Sequence, residues 1–97
     1  MKKPPESSAW RCDLTDKALK TLSKYTPDLR TRILRFIRQR LETNIDPRPL
    51  GKSLSGVKTP VWRFRVGDYR LLCEVHAAEK RLVLLDVGNR DGIYLKR

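Results

Sequence analysis

The fold is decided by one stretch, Val61-Trp62-Arg63-Phe64-Arg65-Val66-Gly67-Asp68-Tyr69-Arg70-Leu71-Leu72-Cys73-Glu74-Val75. Side chains of a strand alternate between two faces. Trp62, Phe64 and Val66 therefore point one way, and Arg63 and Arg65 the other. Gly67-Asp68 separates two β-rich runs, and a two-residue loop that begins with glycine suits a tight hairpin. That turn sets a register: Val66 opposite Tyr69, Arg65 opposite Arg70, Phe64 opposite Leu71, Trp62 opposite Cys73. One face then holds Trp62, Phe64, Val66, Tyr69, Leu71, Cys73 and Val75, and reads as a core face. The other gathers Arg63, Arg65 and Arg70. Directly opposed like charges cost some tenths of a kcal/mol up to about 1, so a face that serves only the fold seldom carries them. The ordinary explanation is that Asp68, Glu74 or another acid neutralises the arginines. The functional one is a clamp, with several guanidinium groups converging on one oxyanion as phosphoryl chemistry requires.

Downstream of the hairpin, His76 to Lys80 reads as a turn and Arg81 to Val87 as a third strand. That strand is nearly all apolar, which predicts a central position covered on both faces. Gly88 ends it, and Asn89 to Arg97 reads as a polar tail. Upstream, Asn44 to Gly51 is rich in Pro, Asp and Asn and reads as a loop, which Lys52 to Pro60 continues. Before the loop, Leu29, Ile33, Phe36, Ile37 and Leu41 form one apolar stripe. It predicts a helix that starts at Thr26-Pro27-Asp28, with a cap, a proline at the first helical position and an acid, and runs to about Thr43. Its other side carries Arg30, Arg32, Arg35, Arg38 and Arg40. Thr15 caps an earlier helix from about Asp16 to Tyr25. Trp10 to Leu14 is predicted as a short strand, and Met1 to Ser8 as a loose tail. The expected order is β-α-α-β-β-β: an α+β domain over residues 9–97, with an antiparallel sheet and a helical hairpin packed on one face.

The chain has 97 residues, and 22 Lys+Arg against 11 Asp+Glu give a net charge of +11. This length allows one modest core and excludes a large two-lobed enzyme. The charge calls for a polyanionic or acidic partner. Arginine outnumbers lysine and clusters, which favours phosphate recognition and so nucleic acid. No apolar run is long enough to span a membrane, and prolines and polar residues follow the first lysines where a signal peptide needs an apolar stretch. A cytoplasmic protein is expected. Cys12 and Cys73 have no CxxC partner and the chain has one histidine, His76, so a metal site is not expected. The cysteines read as small buried hydrophobes.

The candidate site residues are Arg63, Arg65 and Arg70 of the hairpin. Arg90 joins them if the last strand ends beside them. Tyr94 brings a phenol able to stack on a base or exchange a proton. Lys52 and Lys58, which flank the hairpin, are candidates for contacts to a nucleic-acid phosphate backbone. The arginines of the second helix read first as the solvated side of an amphipathic helix.

The hairpin resembles the WRxRxGDYR core of RelE-type toxins. The upstream Pro47-Arg48-Pro49-Leu50-Gly51-Lys52-Ser53-Leu54-Ser55-Gly56 and the downstream Val87-Gly88-Asn89-Arg90 with Tyr94 resemble the same RelE/ParE superfamily, from about Trp10 to Tyr94. The resemblance implies the toxin of a bacterial type II toxin–antitoxin pair that enters the ribosomal A site and cleaves mRNA there. The implied reaction is attack of the ribose 2′-OH on the adjacent phosphodiester, with no metal or other cofactor. It implies a cognate antitoxin, the ribosome and mRNA as partners, no membrane, and Arg63, Arg65, Arg70, Arg90 and Tyr94 as catalytic residues. Arginine does not deprotonate in a protein, so Arg63 and Arg65 hold charge. Asn89 stands where many relatives carry histidine, leaving Tyr94, and after it Lys52, as the proton-transfer candidates. The alternatives within the superfamily are a ParE-type gyrase poison without enzymatic activity and a catalytically degenerate toxin.

Overall fold

A computed structural model describes residues 9–54 and 60–89 of the chain. Five strands form one mixed sheet. They are β1 (Arg11–Leu14), β2 (Gly51–Ser53), β3 (Val61–Val66), β4 (Tyr69–His76) and β5 (Arg81–Asn89), in the spatial order β1-β5-β4-β3-β2. Two helices, α1 (Asp16–Ser23) and α2 (Pro27–Phe36), lie between β1 and β2 in sequence, and a π-helical turn, Ile37–Leu41, extends α2. The α+β class and the helical hairpin are as the sequence predicts.

The helix starts follow from local chemistry. The Thr15 hydroxyl accepts from the Ala18 N–H, and the Thr26 hydroxyl from the Leu29 N–H, each satisfying a donor the first turn leaves free. Thr15 also donates toward the Leu84 and Leu85 carbonyls, so the cap ties α1 to β5. Ala18 and Leu22 of α1, then Ile33, Ile37 and Leu41, bury against Phe64, Val66, Leu71, Cys73, Val75, Leu82, Leu84 and Val87. The expected core face of the hairpin is this core, with Trp62 and Tyr69 half-buried at its margin.

The register of β3 and β4 is the one the turn dictates, Val66 with Tyr69, Arg65 with Arg70, Phe64 with Leu71 and Trp62 with Cys73. Gly67 adopts φ +60°, a conformation that glycine takes without strain at the first position of a tight hairpin.

Five features differ from the sequence reading. β5 runs on through Gly88 and Asn89, where the strand was expected to end, because Tyr69 and Arg70 of β4 pair with them. Gly51–Ser53, expected as loop, is an edge strand antiparallel to β3. β1 pairs parallel to β5, so the sheet is mixed. The exposed edge of β1 is covered: the Cys12 N–H donates to the Glu42 carboxylate and the Trp10 N–H to the Thr43 carbonyl. β5 is interior to the sheet, but Val83 and Leu85 are only half-buried, so one of its faces is packed and not both. Finally, α2 proper ends at Phe36, and the apolar stripe continues through the π turn, which still buries Ile37 and Leu41. The expected tail 1–8 lies outside the described residues.

Candidate functional site

The helices cover one face of the sheet. On the other, neighbouring strands align their basic residues in rows. Lys52 of β2 stands opposite Arg63 of β3, and Arg63 opposite Leu72 of β4. One row along, Arg65 stands opposite Arg70, and Arg70 opposite Gly88 of β5. Pairing across the ladder puts Lys52, Arg63, Arg65 and Arg70 on a single face. Leu72, on that same face, is 2% exposed. It gives the cations an apolar floor, which strengthens charge interactions above it.

Two pairs of arginines face each other across this sheet, and they differ. Arg11 of β1 stands opposite Arg81 of β5. There Asp13 lies between them, 2.9 Å from Arg81 and 3.4 Å from Arg11. The Arg81 guanidinium, with Arg11 beside it, holds the Asp13 carboxyl below the usual carboxylate range. That is the neutralised surface expected of a purely structural arginine pair. Arg65 and Arg70 have no such acid: among the described residues neither forms an ion pair, and neither does Arg63 or Lys52. Glu74, a candidate neutraliser, is bonded to His76 at 3.0 Å. Asp68 sits in the turn between the two arginines without reaching either one.

Arg65, Gly67, Asp68 and Arg70 line a depression of about 210 Å³ at the hairpin tip. The Nε of Arg70 is buried and has no hydrogen-bond partner. A buried, unpaired donor on a cation is costly and asks for an acceptor. The arrangement therefore suits an oxyanion: two opposed guanidinium groups, one orphaned N–H, and a third arginine with a lysine one row away.

Behind the tip, Tyr25 and Tyr69 meet edge to face at 5.3 Å, and the Tyr25 hydroxyl donates to the Val87 carbonyl at 3.4 Å. Burial, with Tyr69 and Asp86 nearby, pushes the Tyr25 phenol up. It braces the ends of β4 and β5 and is unsuited to act as a base. Cys73 is likewise no nucleophile, because the neighbouring Cys12 thiol and burial hold its thiol well above the usual range. No group of three or more His, Cys, Asp and Glu side chains among the described residues is arranged to hold a metal ion, and no described helix is long and apolar enough to cross a membrane.

Of the residues singled out from sequence, Lys52, Arg63, Arg65 and Arg70 are brought together. Lys58, Arg90 and Tyr94 lie outside the described residues. One neighbour of the tip escaped the sequence reading. A Cβ on Gly67 would stand 2.8 Å from the Arg32 Nη2 of α2, so Arg32 packs on the bare backbone of the turn. Helical periodicity placed Arg32 on the outer side of its helix, and no local pattern points it at the hairpin.

A family model, the ParE toxin of the parDE type II toxin–antitoxin system, matches residues 13–94. Among solved structures, the chain is similar to a RelB–RelE toxin–antitoxin complex from Mycobacterium tuberculosis, with TM-score 0.75 and 26% identity over 84% of this chain and 92% of that one. An archaeal RelE–RelB complex from Pyrococcus horikoshii gives TM-score 0.68 and 26% identity over 88% and 98%. The isolated Escherichia coli RelE toxin, at 23% identity and TM-score 0.62 over 84% of each chain, shares the fold. No curated protein sequence matches. The match over nearly the whole chain, on the fold and cation face described above, makes this chain a member of the RelE/ParE superfamily and a toxin of a type II toxin–antitoxin system.

Proposed function

We propose that this toxin is a ribosome-dependent, metal-independent mRNA endoribonuclease that acts in the cytoplasm and is held in check by a cognate antitoxin. The observation that carries the reading is the Arg65–Arg70 pair, opposed across the hairpin, in no ion pair among the described residues, and lining with Asp68 a depression that contains no apolar side chain. Such a pair burdens the fold unless an anion joins it.

In the proposed reaction the ribose 2′-OH attacks the adjacent phosphorus and the P–O5′ bond breaks. The products are a 2′,3′-cyclic phosphate and a 5′-OH. Charge builds on the non-bridging oxygens of the phosphorane, where Arg65 and Arg70 stabilise it most strongly in the transition state. Arg63 and Lys52 hold the neighbouring backbone in line. Lys58 adds a backbone contact. Arg90 completes the clamp. Tyr94 transfers the proton, with Lys52 as the second candidate.

The test is primer extension on an mRNA incubated with purified toxin, with and without translating ribosomes. Cuts at A-site codons only when ribosomes are present support the reading, and Arg70→Ala removes them while the protein stays folded. Normal cleavage by Arg70→Ala removes the assignment of the site. The family match to a ParE toxin favours one second reading, a gyrase poison that cuts no RNA. Inhibition of gyrase supercoiling at low toxin concentration, with no cuts on ribosomes, would establish it.

A further inference from the structure

We infer that Arg32 carries the anion-binding surface around the tip of the β3–β4 hairpin onto α2, so that a single RNA strand leaving the Arg65–Arg70 depression runs on along Arg32, Arg35 and Arg38. The inference rests on the nucleic-acid reading above and extends it to a binding path.

Gly67 is the joint. It lines the depression with Arg65, Asp68 and Arg70, and the Arg32 Nη2 crowds the space where its Cβ would be, 2.8 Å from that position. The connection is only two residues long and has no side chain at its first position, so Arg32 can approach the turn that joins Arg65 to Arg70. Along α2, Arg35 follows Arg32 at the i, i+3 spacing that makes helix residues neighbours. Arg35 and Arg38 then line a depression of about 320 Å³ together with Thr31, Leu34 and Gln39. Leu34 is 41% exposed there. An exposed aliphatic side chain between guanidinium groups gives an unpaired base an apolar contact beside guanidinium planes on which it can stack, while its phosphates track the cations.

The ordinary reading of an arginine run on a helix is a solvated face balanced by acids. Here the balance is missing. Arg30, Arg32, Arg35, Arg38 and Arg40 form no ion pair among the described residues, and Asp28 is the helix's one acid. Solvation alone does not explain why the Arg32 guanidinium is packed against the turn.

The experiment measures binding of a twelve-residue oligouridylate by fluorescence anisotropy over a range of salt concentrations. The proteins are wild type, Arg32→Ala, Arg32→Lys and Arg40→Ala. Arg40 loses the same charge but sits roughly 12 Å further along the helical segment, beside Thr43, Ile45 and Pro49. Each phosphate neutralised on a single strand contributes about 0.7 to the slope of log affinity against log salt. Arg32→Ala is expected to lower that slope by about 0.7 and weaken binding several-fold. Arg32→Lys is expected to keep the slope, and Arg40→Ala to change it little. Equal slopes for wild type and Arg32→Ala, or an equal loss in Arg40→Ala, overturn the path. A wild-type protein that cuts mRNA on ribosomes but shows either result keeps the functional reading and loses only the path. One that neither cuts nor binds loses both. Arg32 is exposed, and a melting curve for each variant shows that the fold survives.

Discussion

Replacing Arg65 with glutamine should stabilise this protein while disabling it. Opposed residues in an antiparallel pair hold their β-carbons about 4.5–5.5 Å apart, and Arg65 and Arg70 are such a pair. For two unit charges about 6 Å apart, Coulomb repulsion is about 0.7 kcal/mol in bulk water and about 3 kcal/mol at the effective dielectric of a protein surface. Long side chains splay apart and salt screens them, so the net effect belongs in the range of about 0.5–1 kcal/mol. No acid among the described residues forms an ion pair with either arginine, and Asp68, which lines the same depression, offsets the repulsion only at longer range. Arg65→Gln keeps a polar N–H donor on a somewhat shorter side chain and removes the charge. The expected gain in a chain of this size is a rise in Tm of about 2–8 °C, read by circular dichroism at low salt. In 1 M salt, where screening acts within about 3 Å, the gain should nearly vanish. Ribosome-dependent cleavage by the same variant should fall by about 10²–10³, the usual effect of removing one charge stabiliser. A variant that is less stable than wild type, or whose gain is indifferent to salt, would refute the claim that the pair is held against repulsion. Arg11→Gln is the matched control: its pair is bridged by Asp13, and no gain is expected.

Three other outcomes follow from described contacts. Gly67→Ala places a Cβ at φ +60° and 2.8 Å from the Arg32 guanidinium; the guanidinium can swing away, so backbone strain dominates and urea unfolding should show a loss of about 1–2 kcal/mol. Thr15→Ala removes the cap on Ala18 and the link to β5 and should cost about 1–2 kcal/mol, with Thr15→Ser recovering most of it. The Asp13 carboxyl is depressed in the folded state, so its contribution is present above the unfolded carboxylate pKa and is lost as pH falls through the lower folded value. Asp13→Asn should therefore destabilise at neutral pH and match wild type in strong acid, in thermal melts taken from pH 7 down to pH 2.

The hairpin was legible because two independent signals agreed. The alternation of Trp62, Phe64 and Val66 with Arg63 and Arg65 fixed the faces, and Gly67-Asp68 fixed the register. β2 was not legible. Gly51-Lys52-Ser53 contains no strong strand former, and its extended state comes from pairing with β3. Gly51 permits that pairing, since a Cβ there would stand 2.5 Å from the Arg63 carbonyl and 2.7 Å from the Phe64 ring. So Lys52 stood out in the sequence only as a lysine near the hairpin, and it is the sheet that shows it opposite Arg63. The parallel direction of β1 was hidden for a related reason: a four-residue strand carries no mark of which neighbour it will choose. Arg32 was missed because a tertiary contact positions it and no periodic pattern does.

The pairing of β1 with β5 has a consequence for the order of events in synthesis. The Thr15 hydroxyl that starts α1 bonds to a carbonyl 69 residues later in the chain. Until Leu84 exists, β1 has no neighbour, α1 has no sheet to cover, and β4 is an edge. The local contacts of the helical hairpin form early, but the long-range pairing that completes the sheet comes last and is the slower kind to form. At about 5–20 residues per second, the β3–β4 hairpin that carries Arg65 and Arg70 is made before the strand that closes the sheet beside it. The topology builds in a delay: the sheet that carries Arg65 and Arg70 is complete only once β5 has been made.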